Sequence, residues 1–267
     1  MDVRKYKEAE FHNLVRGGAA KENKAEYNRL TANKKFYSIT RASDAFVHTW
    51  IFTNGRSKEL LDYCCGSGDR AILFAKKGIR CVGIDISDVS IDIGNKRAKE
   101  EGVAENAQFH VIYAEHTIFP DISFDIVSCL GVLHHLDTEK AFLELARIVR
   151  PEGAVICDEP LAYNPLFQLY RRMTPHLRTD WEMRHILGKK DIERAKKYFG
   201  RVEMRFFHLA TLAAVPFRNQ PFFNSVLRSL ESIDSFLSRI PLICWLSWQV
   251  VFILSEPRKD AYGKKDI

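Results

Sequence analysis

The sequence has no C-x-x-C pair and no cysteine–histidine spacing of the kind that holds zinc. Its six cysteines, Cys64, Cys65, Cys81, Cys129, Cys157 and Cys244, lie mostly in apolar runs, as buried thiols do. A bound metal is therefore not expected, and a reducing, cytoplasmic setting is. The first seven residues contain no apolar leader. The strongly apolar stretch 240–254 is too short, and too β-branched toward its end, for a membrane-spanning helix. It reads as a final buried strand, with peripheral membrane contact left open. A formal net charge of +6, without a dense Lys/Arg stripe, is too weak a basis for nucleic acid binding but suits an anionic substrate. Repeats and low-complexity segments are also missing. What remains is 267 residues, 46% apolar and 28% charged, enough for one globular α/β unit with a full core.

The stretch from Leu60 to Asp69, LLDYCCGSGD, organises this chain. An apolar run carrying Asp62 meets a turn with Gly66 and Gly68, and a helical pattern starts at once. Glycine permits positive φ and close approach of backbone to a ligand, and the following helix offers unpaired N–H groups. A dinucleotide pyrophosphate would want a third glycine three residues after Gly68, where Ala71 stands. The amino acid tail of S-adenosylmethionine fits as well, its carboxylate on the helix start and its ammonium near Asp62. The next apolar run, CVGIDIS, places Asp85 at a strand end, where an acid can accept from ribose hydroxyls. A third segment, SFDIVSCLGVLHHL, runs from Ser123 to Leu136.

In order, spacing and content these three segments resemble the class I S-adenosylmethionine-dependent methyltransferases, most of all the small-molecule branch that includes the ubiquinone/menaquinone C-methyltransferases. The resemblance is strong over residues 60–158 and weak at the ends. It implies a doubly wound, mostly parallel seven-stranded sheet whose last strand is antiparallel. It implies S-adenosylmethionine as cofactor, held by Asp62, Cys64, Gly66, Gly68, Asp85 and Ile86, with Leu130 along the methionine portion. The family has glycine where Cys64 stands, and an acid is commonest where Tyr113 stands, so the adenine contact is expected to pass to Ala114 or Glu115.

The expected domain arrangement is an N-terminal helical lid over 1–53 and a methyltransferase domain over 54–267, with an acceptor-side insertion at 159–190. Lid helices are expected at 8–15, 24–37 and 43–52, the last capped by Ser43. Core strands are expected at 59–63, 80–85, 107–113, 124–129 and 154–158, with helices at 69–77, 89–101 and 138–149 between them. A turn is expected at Pro151–Glu152–Gly153. Beyond residue 158 come helices at 166–173, 191–199 and 224–237 and strands at 201–209 and 249–254.

His134 and His135 are candidates for a general base, because imidazole titrates near neutral pH. In this family the same Leu-His-His-Leu also occurs as a structural turn. Glu159, Tyr163 and His185 are rivals on the acceptor side. Arg171 and Arg178 suit a phosphate or carboxylate on the acceptor, unless they are simply solvated. The expected activity is methyl transfer to a small molecule, with oxygen in a metabolite, glycosyl or lipid-like acceptor preferred. An NAD-dependent oxidoreductase and a non-catalytic S-adenosylmethionine-binding regulator are the other classes considered. The oligomeric state is not legible.

Overall fold

The structure, a computed structural model, describes residues 3–16 and 23–259. Seven strands form one sheet: β1 (Glu59–Tyr63), β2 (Arg80–Asp85), β3 (Ala107–Val111), β4 (Phe124–Leu130), β5 (Val149–Pro160), β6 (Phe199–Phe207) and β7 (Gln249–Pro257). Their order is β3-β2-β1-β4-β5-β7-β6, with β7 antiparallel to both of its neighbours and every other pairing parallel. The chain reverses its direction of strand addition between β1 and β4. Open α/β sheets bind their ligands at the carboxyl edge beside such a point.

The inner strands are buried on both faces, and side chains alternate between them. Leu61, Tyr63, Val127 and Val155 pack on one side with Phe142 and Leu145, which lie on helix α6 (Thr138–Ile148). Leu60, Ile126 and Ile156 pack on the other. That second face is covered by α3 (Arg41–Asn54), α4 (Asp69–Ala75) and α5 (Asp88–Glu100), through Val47, Ile51, Ile72, Phe74 and Ile91. Ser87 caps α5 by accepting from the Ser90 amide, and Asp137 caps α6. Gly78 and Gly102 take positive φ just beyond α4 and α5, as expected of helix-ending residues.

Several expectations are corrected. Residues 24–37 form a short helix α2 (Lys24–Leu30) and then a 3-10 segment (Ala32–Ile39), not one helix. Helix α3 starts two residues earlier than expected. Ser43 lies buried inside its first turn, bonded to the Thr40 carbonyl, rather than capping it. Pro151–Gly153 is not a turn before β5 but part of that strand, looped out where the register slips between Phe124 and Ile126. The expected helix at 191–199 is α8 (Lys189–Arg194) plus a 3-10 turn, because Phe199 already begins β6. Helix α1 (Val3–Arg16) is longer than the expected 8–15. The apolar run 240–254 becomes a 3-10 turn and the interior strand β7. Among the described residues no helix is long and apolar enough to cross a membrane.

Candidate functional site

The loop after β1 turns back on itself under three left-handed residues, Cys64 (φ 58°), Gly66 (φ 57°) and Gly68 (φ 75°). Glycine adopts this conformation freely, whereas an L side chain pays roughly 1–2 kcal/mol. Cys64 therefore carries strain that a glycine in its place would not. The turn is locked by the Cys65 amide on the Ile84 carbonyl (2.8 Å) and the Gly68 amide on the Cys65 carbonyl (3.1 Å). A Cβ on Gly68 would strike the Phe109 ring at 2.4 Å, so the glycine also allows α4 to start against β3.

Three aspartates stand at the carboxyl ends of strands around this turn. Asp85 on β2 accepts from the amides of Gly66 (2.8 Å) and Ser87 (2.9 Å), which ties the turn to the second strand. Asp62 on β1 is buried and accepts from the Ser128 hydroxyl at 2.9 Å. Burial pushes its carboxyl up to about 6. Asp158 on β5 is buried as well, and burial pushes it up to about 7. Its Oδ1 has no hydrogen-bond partner within the protein. Asp62 and Asp158 both line a cleft of about 890 Å³, inside the roughly 300–1,000 Å³ range of small-molecule sites. Each desolvated carboxyl, Asp158 with its orphaned oxygen above all, is a seat for a cation or a hydrogen-bond donor. The ammonium of an amino acid tail fits that seat.

The loop after β4 carries the two histidines, and the structure separates their roles. Glu159 is completely buried at the end of β5. Its Oε1 accepts from the amides of Val132 and Leu133, both at 2.7 Å. Its Oε2 lies 2.7 Å from His134 Nδ1. A carboxylate only accepts, so Nδ1 carries the hydrogen and Nε2 keeps its lone pair. The His134 ring also lines the large cleft, whereas Glu159 stands behind it. His135 lines both cavities, and its Nδ1 lies 3.1 Å from Glu8 Oε2 on α1.

Helix α1 lies across the same edge. Arg4 contacts both oxygens of Glu115 at 2.5 and 2.6 Å, and Lys5 reaches the same carboxylate at 3.5 Å. Asn13 bonds to Ser87 and Asp88 at the start of α5. Arg16 Nη1 lies 3.6 Å from Asp85 Oδ2, and a Cβ on Gly66 would lie 2.7 Å from that same nitrogen. Below the helix is a second, smaller cavity lined by Cys64, Asp85, Ile86, Tyr113, Ala114 and Glu115, joined there by Glu8, His12 and Arg16.

Of the expected cofactor residues, Cys64, Asp85, Ile86, Ala114 and Glu115 thus surround the smaller cavity. Asp62, Cys64, Gly66 and Leu130 line the larger one. Gly68 lines neither and shapes the turn. Together the two cavities offer an acid beside a strand end, a glycine turn and an apolar slot between Ile86 and Ala114. This arrangement fits an adenosyl amino acid.

The acceptor-side candidates divide. Arg171, on α7 (Pro165–Met173), and Arg178 are buried and line the large cleft. Both lie against Glu182 Oε1, at 3.4 and 3.3 Å, and burial lowers both of their pKa values. Two guanidinium groups share one carboxylate there. Tyr163 and His185 line neither cavity. The Tyr163 hydroxyl accepts from the Lys189 amide at 2.8 Å, and His185 stacks on Trp181 at 3.6 Å. The 211–223 segment stays off the lining of the large cleft: Ala214 and Val215 pack with Phe167 and Trp248. Asp158 was missed, although an acid at the carboxyl end of a strand was the signal that singled out Asp62 and Asp85.

Residues 61–157 match the family model for a methyltransferase domain. The chain is 37% identical over 95 residues to an uncharacterized methyltransferase of Bacillus subtilis, YcgJ, covering 35% of this chain and 37% of that one. It is 33% identical over 110 residues to the ubiquinone/menaquinone biosynthesis C-methyltransferase UbiE of Rickettsia massiliae, covering 39% and 44%. The matches thus span less than half the length of these relatives, and the family-model match runs from β1 to β5. Among solved structures, geranyl diphosphate C-methyltransferase from Streptomyces coelicolor superposes with a TM-score of 0.58 at 15% identity, covering 84% of this chain and 83% of that one. At that identity the likeness concerns the fold, which is the Rossmann-like fold of class I methyltransferases. S-adenosylmethionine is the cofactor of this domain class.

Proposed function

We propose that this chain is an S-adenosylmethionine-dependent methyltransferase whose acceptor is a small molecule with an ionisable oxygen and an anionic group. The observation that carries the reading is His134: a ring fixed by buried Glu159 and facing the same cleft as Asp62, Gly66 and Asp158. When bound, S-adenosylmethionine supplies a methyl group that its sulfonium already makes electrophilic. The protein has to hold the acceptor in line, exclude water and remove a proton.

His134 Nε2 takes the proton of the acceptor hydroxyl, and Glu159, a positioning residue, stabilises the imidazolium that forms. Asp62 and Asp158 hold the ammonium end of the donor, and Asp85 replaces its Arg16 neighbour with ribose hydroxyls. Arg171 and Arg178, which share one Glu182 carboxylate, bind the anionic group of the acceptor. Proximity and orientation of this kind are worth up to roughly 7–11 kcal/mol of barrier. Residues 3–16 act as a lid over the donor. A second reading is methylation at carbon, favoured by the relative named as a quinone C-methyltransferase. There His134 would take a proton from carbon or from a ring hydroxyl.

The test is labelled S-adenosylmethionine incubated with metabolite fractions, wild type against His134→Ala. Methyl transfer to an acidic small molecule, lost in the variant while S-adenosylhomocysteine binding survives, supports the proposal. Failure to label any acceptor would leave a donor-binding regulator. Calorimetric binding of NAD without S-adenosylhomocysteine binding would make the chain an oxidoreductase candidate instead.

A further inference from the structure

Glu8, His12 and His135 bring one ligand atom each to within 4.8 Å of one another, the only group of three such residues among the described ones with metal-ligand geometry. Glu8 and His12 are four apart on α1 and so share one helix face. His135 comes from the opposite wall, in the 3-10 turn after β4. His135 Nδ1 lies 3.1 Å from Glu8 Oε2, and His12 Nε2 lies 3.7 Å from that oxygen. Ligand bonds of about 2.0–2.2 Å around a tetrahedral zinc ion put neighbouring donor atoms about 3.4 Å apart. Those two spacings bracket that value, so an ion can enter with small side-chain shifts.

The surroundings also suit a metal. The other Glu8 oxygen accepts from the Thr179 hydroxyl, a contact that holds the carboxylate in place. The His135 ring packs on His134 with centroids 4.2 Å apart, which fixes its plane. All three side chains line the smaller cavity, so a fourth coordination position would face open space rather than protein. Residue spacing does not reveal the group, because His135 lies 127 positions from Glu8 and no cysteine takes part.

We propose that Glu8, His12 and His135 form a site for a zinc-class divalent cation that fastens helix α1 to the loop after β4 and so latches the cover over the smaller cavity. Two imidazoles and one carboxylate select zinc, cobalt or nickel over magnesium, which prefers an all-oxygen shell. The ion replaces the hydrogen now lying between His135 Nδ1 and Glu8. The proposal does not depend on methyl transfer: a chain that methylates nothing could still be latched this way.

The full chain, stripped with chelator and exchanged into buffer, is titrated with zinc against a chromogenic indicator, and with cobalt while visible absorption is recorded. One tight equivalent is expected, with no thiolate-to-cobalt charge-transfer band despite the six free cysteines. His12→Ala and His135→Ala should each weaken binding at least tenfold while circular dichroism stays unchanged. Thr179→Ala, which touches no metal, should weaken it about tenfold, as loss of an outer contact does. Zinc should also slow amide hydrogen exchange across Val3–Arg16, and magnesium should not. Absence of saturable binding at micromolar zinc, or binding that survives both histidine substitutions, overturns the site. Tight zinc binding with unchanged exchange in α1 overturns the latch. S-adenosylhomocysteine affinity measured on the same samples reports on the methyltransferase reading separately.

Discussion

Donor binding should strengthen as pH rises, and its slope should report how many carboxyls take part. Asp62 titrates near 6 and Asp158 near 7 in the folded chain, both raised by burial from an ordinary 3.8. Both are therefore largely protonated at about pH 5 and largely ionised at about pH 8. An ammonium pairs only with the ionised form and holds it there. If Asp62 alone receives the donor ammonium, affinity rises about tenfold between those pH values; if Asp158 alone does, about a hundredfold; if both must ionise, about a thousandfold, each decade being about 1.4 kcal/mol. Asp85 sits in the same site, but it is the ribose, not the ammonium, that is assigned to it, beside its bonds to the Gly66 and Ser87 amides. The effect on folding has the opposite sign. A carboxyl whose folded pKa is raised stabilises the unliganded fold below its unfolded value, and that contribution is lost as pH rises through about 6 and about 7. Acid weakening of binding is thus not acid unfolding by these two groups, and thermal melting at each pH separates the two effects. The assay is calorimetric titration with S-adenosylhomocysteine at closely spaced pH values, for wild type, Asp62→Asn and Asp158→Asn. Each asparagine should remove its own portion of the slope. An affinity flat across this range, or a slope that survives both substitutions, would refute the assignment of the cleft's acids to the ammonium.

Three other outcomes follow from the same geometry. Asp85→Ala should weaken S-adenosylhomocysteine binding tenfold or more, on the order of the 1.5–3 kcal/mol of a charge-assisted hydrogen bond; unchanged affinity would remove Asp85 from the site. Cys64→Gly relieves the left-handed residue at φ 58° but frees the unfolded chain, so the unfolding free energy from denaturant titration should stay equal or rise by up to about 1 kcal/mol. A clear loss of stability would mean that the Cys64 side chain matters more than its backbone. Asp234 accepts from the amides of Leu209, Ala210 and Thr211 and from the Thr211 hydroxyl. Removing the carboxylate in Asp234→Ala strands those donors and should cost about 2–4 kcal/mol in urea unfolding, without changing donor affinity.

Where the sequence could be read, the reason is that one local feature carried both structure and chemistry. The turn after β1 needs positive φ, and the residues that tolerate it, Gly66 and Gly68, are the ones that leave the ligand room. Asp85 ends a strand and also ties the turn to it, so strand position alone pointed to the residue. Asp158 has the same strand-end signature, but its run continues as Glu159-Pro160 into a loop, and the neighbouring acid drew attention instead. The two histidines were legible as a pair and not as individuals. What separates them is which carboxylate each ring meets, Glu159 at 25 residues' distance for His134 and Glu8 at 127 for His135. The acceptor side was hardest for a related reason. Arg171 and Arg178 reach the cleft only because Glu182 and the Thr174 backbone hold them, whereas Tyr163 and His185, chosen on residue type alone, settled on Lys189 and Trp181. Short-range turn chemistry is written in consecutive residues. Long-range pairing of ionised side chains is decided by packing, and in this fold it is packing that gives His134 a carboxylate from the sheet core and His135 one from helix α1.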